Sequence, residues 1–219
     1  MPSQTKENYL KAIYFLNLKN EKVTVTALGD VMQVSKPTVN NMIKKLTSQG
    51  WIDYQKYKPI QLTKSGMLAA TQIIRKHRLT EMFLVKIMGF GWEEVHTIAE
   101  EVEHLKTEEF FDRMDELLGY PTVDPHGSPI PDKDGNIDRV RLSKLSDMKT
   151  GSKVRLKAIG DSSVELLTML NDKEIMLGTH FTIIKIEAFD KTMIVSYSDK
   201  SEVSLSYEVC KRLLVEEVI

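Results

Sequence analysis

The sequence predicts a mainly α-helical protein with a small β domain, arranged as a winged helix-turn-helix, a helical segment and a C-terminal barrel resembling an SH3 domain. Apolar residues recur at helical spacing as far as Gly119, which indicates amphipathic helices. From about Leu142 onward, short stretches such as SKVRLKAI, THFTIIKI, TMIVSYS and EVSLSY lie between turn residues and indicate strands. We therefore expect three domains, at residues 1–64, 65–140 and 141–219.

Three helices and a wing account for the first domain. An opening amphipathic helix should run to about Lys19, and a second helix should end near Gln33. The third begins with Ser35 as N-cap, has Pro37 in its first turn and stops at Gly50. Two β-like halves of WIDYQKYKPIQLT then flank a KYK turn, which is typical of a winged helix-turn-helix.

Two long helices are predicted next. The first runs from Lys64 to about Gly89, and the second starts near Trp92 and continues to Gly119. The apolar residues of both helices exceed what covering a small domain requires, so we expect part of them to be buried between two subunits. The stretch PTVDPHGSPIPDKDGN, rich in proline and turn formers, is predicted to be an extended connector.

The composition limits the class of protein. The chain has 219 residues and 42% hydrophobic content, which suffices for real cores. No apolar run reaches the roughly 18 residues of a membrane span, and MPSQTKENYL lacks the layout of a secretory signal, so we expect a cytoplasmic protein. The single Cys210 excludes an intrachain disulfide framework and is expected to be buried.

Charge is distributed unevenly along the chain. The formal net charge is −1, but residues 1–80 contain 13 basic and 4 acidic residues, whereas residues 81–140 contain 5 basic and 15 acidic residues. A basic first part is typical of phosphate binding, and an acidic middle part is what cation binding needs. Solvated charged faces would give the same counts.

A stripe of potential ligands lies in HTIAEEVEH, where Glu100 is four residues from His96, three from Glu103 and four from His104. Such spacings place side chains on one face of a helix. The stripe is either a solvated surface or a set of metal ligands, and a second pair, His77 and Glu81, favours the ligands. A carboxylate-rich set without cysteine favours Mn²⁺ or Fe²⁺ over structural Zn²⁺.

Five motifs carry a resemblance that spans almost the whole chain: KENYLKAIY, VSKPTVNNMIKKL, RKHRLTEMFL, VHTIAEEVEH and DPHGSPIP. Together they resemble the diphtheria-toxin-repressor family of iron- and manganese-dependent regulators, in particular its three-part manganese-responsive branch. The resemblance implies a DNA-binding winged helix, a helical metal-binding and dimerisation domain, and an SH3-like, FeoA-like β domain. It also implies a non-enzymatic homodimer that represses metal-homeostasis genes when loaded with Mn²⁺ or Fe²⁺, with Zn²⁺ and Co²⁺ as substitutes in vitro.

The resemblance also implies two metal sites. Asn8 stands where manganese-type members have aspartate and iron-type members methionine, and Glu100 stands where iron-type members have cysteine. The primary site would comprise Asn8, Glu100, Glu103 and His104. The ancillary site would comprise His77, Glu81, His96 and Asp161, with Glu165 as the alternative to Asp161. Asp124 and His126 are either extra ligands or plain turn residues.

The exposed face of the third helix and the wing are the candidate DNA contacts, because amides can read adenine edges and lysines can hold phosphates. These candidates are Ser35, Lys36, Pro37, Thr38, Asn40, Asn41, Lys44, Lys56, Tyr57 and Lys58. Two alternatives stay open: a winged-helix regulator that responds to an organic ligand or a partner protein, and a metallohydrolase. The second is weaker, because neither a distinct nucleophile nor an HExxH sequence accompanies the cluster.

Overall fold

A computed structural model describes residues 3–19, 21–56, 58–138, 140–160 and 162–218. The chain forms two compact units. The first unit comprises residues 1–80, 99–120 and 130–137, and the second comprises residues 81–98, 121–129 and 138–219. The predicted fold class is confirmed, but the compact units cut across the predicted middle domain, so the three boundaries stay a prediction.

The first unit begins with the predicted helix-turn-helix. Its helices are α1 (Gln4–Leu18), α2 (Val25–Met32) and α3 (Lys36–Ser48). The hydroxyl of Ser35 accepts a hydrogen bond from the Thr38 amide, and Pro37 lies in the first turn, as predicted from the capping pattern. The short hairpin of β1 (Ile52–Asp53) and β2 (Gln61–Leu62) follows as the wing.

One apolar core holds these elements together. It is formed by α1, α2, α3, the wing and the start of α4, and Leu10, Ile13, Ile43, Leu46 and Ile52 are fully buried in it. Each such side chain contributes about 1.5–3 kcal/mol of burial free energy. The outward faces of α3 and the wing are therefore left to polar and basic residues.

Three further helices follow, and one prediction about them is wrong. Helix α4 runs from Lys64 to Lys86. The predicted single helix from Trp92 to Gly119 is instead two helices, α5 (Val95–Val102) and α6 (Glu108–Leu117). The carbonyl of Leu105, which lies in the break, accepts a hydrogen bond from the Lys76 ammonium. In a continuous helix this carbonyl would accept a hydrogen bond from a backbone amide, and here the lysine takes that place. The sequence pattern does not reveal the contact, because the two residues are far apart in the chain.

The β domain lies in the second unit. Its antiparallel sheet has six strands, in the order β3 (Ser143–Lys144), β8 (Leu213–Glu217), β4 (Lys153–Ile159), β5 (His180–Ile186), β6 (Met193–Tyr197) and β7 (Lys200–Leu205). The 3₁₀ turn Leu145–Asp147 and the helices α7 (Val164–Asp172) and α8 (Tyr207–Cys210) complete it. Buried residues alternate along β4 and β6, as a strand with one buried face requires.

The core of this sheet contains Cys210 and reaches the segment before α5. Cys210 is fully buried, and this burial raises the pKa of its thiol to about 12. Trp92 packs against the same core, and its indole N–H donates a hydrogen bond to Asn171. None of the helices within the described residues has the length and apolar composition that crossing a bilayer would need.

Candidate metal centres and nucleic-acid surface

The outer face of α3 presents the predicted DNA contacts. Its inner face buries Val39, Ile43 and Leu46, so the polar residues of the helix point away from the core. All seven predicted contacts of this helix region are exposed: Ser35, Lys36, Pro37, Thr38, Asn40, Asn41 and Lys44. On the wing, Lys56 and Lys58 are exposed, whereas Tyr57 lies outside the described residues.

A buried carboxylate, Glu103, is the centre of a polar cluster in the first unit. The Lys11 ammonium lies 2.6 Å from Glu103 Oε1, and His77 Nδ1 lies 2.6 Å from Glu103 Oε2. Burial by itself would raise the pKa of Glu103, but the hydrogen bond from His77 and the charge of Lys11 outweigh it, so this pKa lies below its ordinary value. The carboxylate is therefore ionised and carries a cation on one oxygen.

His104 lies beside Glu103 and is oriented by helix α1. Its Nδ1 donates a hydrogen bond of 2.6 Å to the Glu7 carboxylate, and its Nε2 lies 3.5 Å from Glu103 Oε1. A carboxylate on one ring nitrogen fixes the tautomer that leaves the other nitrogen available as a ligand. Glu7 thus aims Nε2 toward the Glu103 carboxylate.

Two other predicted ligands belong to this unit. Glu100, on α5, has a half-exposed carboxylate 3.8 Å from the Lys11 ammonium. Asn8 Oδ1 is buried and is one of only two such side-chain atoms without a hydrogen-bond partner among the described residues. An unsatisfied buried acceptor costs about 1–3 kcal/mol. Asn8 lies between the two α1 residues that contact His104 and Glu103, so its carbonyl oxygen suits a cation ligand.

A second cluster, in the second unit, contains Glu81, Asp124 and His126. One ligand atom of each lies within 4.8 Å of the others, and all three residues are buried. Burial by itself would lower the pKa of His126, but the carboxylates of Glu81 and Asp124 outweigh it and raise this pKa above its ordinary value. This cluster therefore attracts positive charge.

The backbone orients the imidazole of this second cluster. His126 Nε2 donates a hydrogen bond of 2.8 Å to the Trp92 carbonyl, so Nδ1 is left as the potential ligand, 3.7 Å from Glu81 Oε2. The Asp124 carboxylate accepts hydrogen bonds from the amides of His126 and Ser128. Both features resemble the outer contacts that hold ligands at metal sites.

The remaining predicted ligands have different surroundings. His96 Nδ1 lies 3.4 Å from Glu81 Oε1, and the His96 ring is more than half exposed. His77 lies one turn before Glu81 in α4, while its Nδ1 contacts Glu103. Glu165 is exposed in the first turn of α7, and Asp161 lies outside the described residues.

The assignment of these residues to a primary and an ancillary site stays a prediction. The stripe from His96 to His104 is divided, because α5 ends at Val102 and His96 belongs to a different compact unit from Glu103 and His104. Asp124 and His126, which the sequence left as ligands or turn residues, lie with Glu81.

Comparison with known protein families matches nearly the whole chain. Residues 1–60 match the model "Iron dependent repressor, N-terminal DNA binding domain", and residues 63–132 match "Iron dependent repressor, metal binding and dimerisation domain". Residues 143–217 match the FeoA domain. These three models follow one another in the order predicted from the sequence.

Solved structures and curated proteins give the same result. A manganese-dependent transcriptional repressor in complex with manganese is 30% identical, with a TM-score of 0.86, and the match covers 97% of this chain and 100% of that one. The chain belongs to the diphtheria-toxin-repressor family, in its manganese-responsive branch. ScaR with bound Cd²⁺ is 32% identical, with a TM-score of 0.80 and coverage of 97% and 99%. The iron-dependent repressor IdeR of Mycobacterium leprae is 29% identical over 228 residues, or 98% of this chain and 97% of that protein.

Membership of the diphtheria-toxin-repressor family confirms the predicted class, a metal-dependent DNA-binding regulator and not an enzyme. Two residues of α1 that contact the candidate ligands were missed from the sequence: Glu7 and Lys11. Their spacing in KENYLK places them one turn apart on the helix, beside Asn8. This spacing is the signal that could have identified them.

Proposed function

We propose that this regulator binds operator DNA as a homodimer when loaded with Mn²⁺ or Fe²⁺, and thereby represses genes of metal homeostasis. The proposal rests on one arrangement: Glu103 and His104 contact α1, the first helix of the DNA-binding part. Helix α1 thus belongs to the DNA-binding part and also contacts the proposed metal ligands.

The donors of the first unit fit a divalent cation. Glu100, Glu103 and Asn8 offer oxygen atoms, and His104 offers Nε2. A bound cation would supply the positive charge that draws these ligands together. Without cysteine among them, the set suits Mn²⁺ or Fe²⁺ better than a structural Zn²⁺ site. Glu7 holds the His104 ring, and Asn8 links the set to α1.

The second cluster supports a further cation site. Glu81, Asp124 and His126 offer two carboxylates and one imidazole, with the His126 ring held by the Trp92 carbonyl. The ancillary set of His77, Glu81, His96 and Asp161, with Glu165 as the alternative, stays a prediction.

Helix α3 supplies base contacts, and the wing supplies phosphate contacts. In helix-turn-helix dimers, the second helix of each motif enters the major groove, and the two half-sites lie about one helical turn apart. Exposed apolar side chains on α4, in the turn that follows it and on α6 are suited to burial in a dimer. They include Met67, Leu68, Ile87, Met88, Phe110 and Leu117.

Fluorescence anisotropy on a promoter fragment from the protein's own genome tests the proposal. Mn²⁺, Fe²⁺ under anaerobic conditions and Zn²⁺ are titrated against a chelated control at fixed salt, because phosphate-driven affinity changes steeply with ionic strength. We expect Mn²⁺ or Fe²⁺ to raise the affinity about 5- to 150-fold, the usual range of allosteric coupling. Operator binding that is insensitive to chelator would favour an organic ligand or a partner protein as the signal.

Restoring a carboxylate at position 8 should strengthen metal activation. Asn8→Asp adds a charge to a neutral ligand, so the Mn²⁺ concentration needed for half-maximal operator binding should fall by about tenfold or more. Asn17→Asp, on the exposed end of α1, serves as the control. An unchanged Mn²⁺ requirement would place residue 8 outside the metal site.

A further inference from the structure

Lys11 occupies an unexpected place in the proposed metal centre. Its ammonium lies 2.6 Å from Glu103 Oε1 and 3.8 Å from Glu100 Oε1. The Lys11 side chain is only 16% exposed, and the Glu103 side chain is fully buried. A positive charge of this chain therefore lies between two carboxylates that are proposed to bind the metal.

An ammonium and a divalent cation compete for the same oxygen atoms. His104 Nε2 lies 3.5 Å from the oxygen of Glu103 that accepts the bond from Lys11. A cation shared by Glu103 Oε1 and this ring nitrogen would lie within a few ångströms of the ammonium, where like charges repel strongly in a partly buried site. Lysine has a flexible four-carbon stem and a strongly hydrated head, so it can leave the carboxylate for water.

We propose that Lys11 acts as a tethered cation, that is, a positive charge of the chain that occupies the metal site until metal binds. In the metal-free protein it neutralises Glu103 and joins α1 to the metal ligands. Metal loading displaces its ammonium from the Glu103 carboxylate. The idea rests on the proposed function and adds a regulatory step to it. Lys11 raises the metal concentration at which the site fills, because each binding event has to break a partly buried ion pair. It also limits carboxylate repulsion in the absence of metal.

Metal affinity gives the first test. Mn²⁺ binding is measured by isothermal titration calorimetry on the full chain. The proteins compared are the unmodified protein, Lys11→Met, Lys11→Arg and the control Lys19→Met, at the exposed residue that follows α1. Methionine keeps much of the stem and removes the charge, so Lys11→Met should bind Mn²⁺ roughly tenfold more tightly or better, the factor for one charge-assisted hydrogen bond. Lys11→Arg, which retains the charge, and Lys19→Met should stay close to the unmodified protein.

A purely structural ion pair predicts no gain in metal affinity. If Lys11 only stabilises the fold, its removal leaves the affinity unchanged or weakens it, and this result would overturn the proposal.

The unmodified protein gives a second test that does not depend on the folding of a variant. Nitrogen-detected NMR of lysine ammonium groups should show Lys11 as an ordered, slowly exchanging ammonium in the metal-free chain. Saturation with Cd²⁺, which is diamagnetic, should abolish that signal and leave Lys200, which pairs with Glu174 at 2.9 Å, unchanged.

The outcomes separate this idea from the proposed function. If the unmodified chain binds metal and the Lys11 signal persists, the tethered cation is wrong and the proposed function stands. If the unmodified chain binds neither Mn²⁺ nor Cd²⁺, the proposed function is wrong as well.

Discussion

Glu103→Gln is expected to abolish the metal-dependent rise in operator affinity, which should otherwise be about 5- to 150-fold. The Glu103 side chain is fully buried. Its carboxylate contacts the Lys11 ammonium and His77 Nδ1, and it lies 3.5 Å from His104 Nε2. Glutamine keeps the shape but brings no charge, so the site loses its central anionic ligand. The coupling between metal and α1 should then disappear.

The measurement is fluorescence anisotropy with and without saturating Mn²⁺, for Glu103→Gln and for Glu101→Gln as the matched control. Glu101 lies on helix α5, two residues before Glu103, and is exposed, so its replacement should leave activation intact. Circular dichroism confirms that both variants fold. Full Mn²⁺ activation of Glu103→Gln would contradict the assignment of this residue.

Asp115→Ala is expected to destabilise the first unit by about 3–5 kcal/mol, since it leaves a buried charge without its partner. The Asp115 carboxylate on α6 forms an ion pair with the Arg75 guanidinium of α4, and both side chains are at least 88% buried. The same guanidinium donates a hydrogen bond to the Pro131 carbonyl. Alanine would therefore disrupt a contact that joins three segments of the unit.

Urea unfolding followed by circular dichroism measures this loss. The matched control is Asp112→Ala on the same helix, whose ion pair with Lys133 is at least half exposed. An exposed pair contributes about 0–1 kcal/mol, so the control should shift the midpoint little. Equal losses for the two variants would show that burial of the Arg75–Asp115 pair is not the source of its stabilisation.

Local signals predicted the DNA-binding part well. The cap of α3 at Ser35, its early Pro37 and its end before Gly50 follow from backbone preferences of neighbouring residues. Strands β4 and β6 were predictable because apolar and polar residues alternate along a strand that buries one face. In contrast, periodicity joined α5 and α6 into one helix, because the contact from Lys76 to the Leu105 carbonyl links residues far apart in sequence.

The candidate metal centre was predictable only in part. Glu100, Glu103 and His104 could be proposed from their spacing and from the family resemblance. The roles of Glu7 and Lys11 depend on which turn of α1 contacts the end of α5. The grouping of Glu81 with Asp124 and His126 likewise depends on how a connector folds back within the second unit.

The sequence by itself determined the types of candidate ligand, most of the helices and strands, and the family, because these depend on residue chemistry and on short spacings. Only the tertiary structure decided which charged side chains form ion pairs. It placed the Lys11 ammonium on Glu103 and aimed His104 through Glu7, since a charge pair forms where packing of the apolar helix faces brings its members within hydrogen-bonding distance.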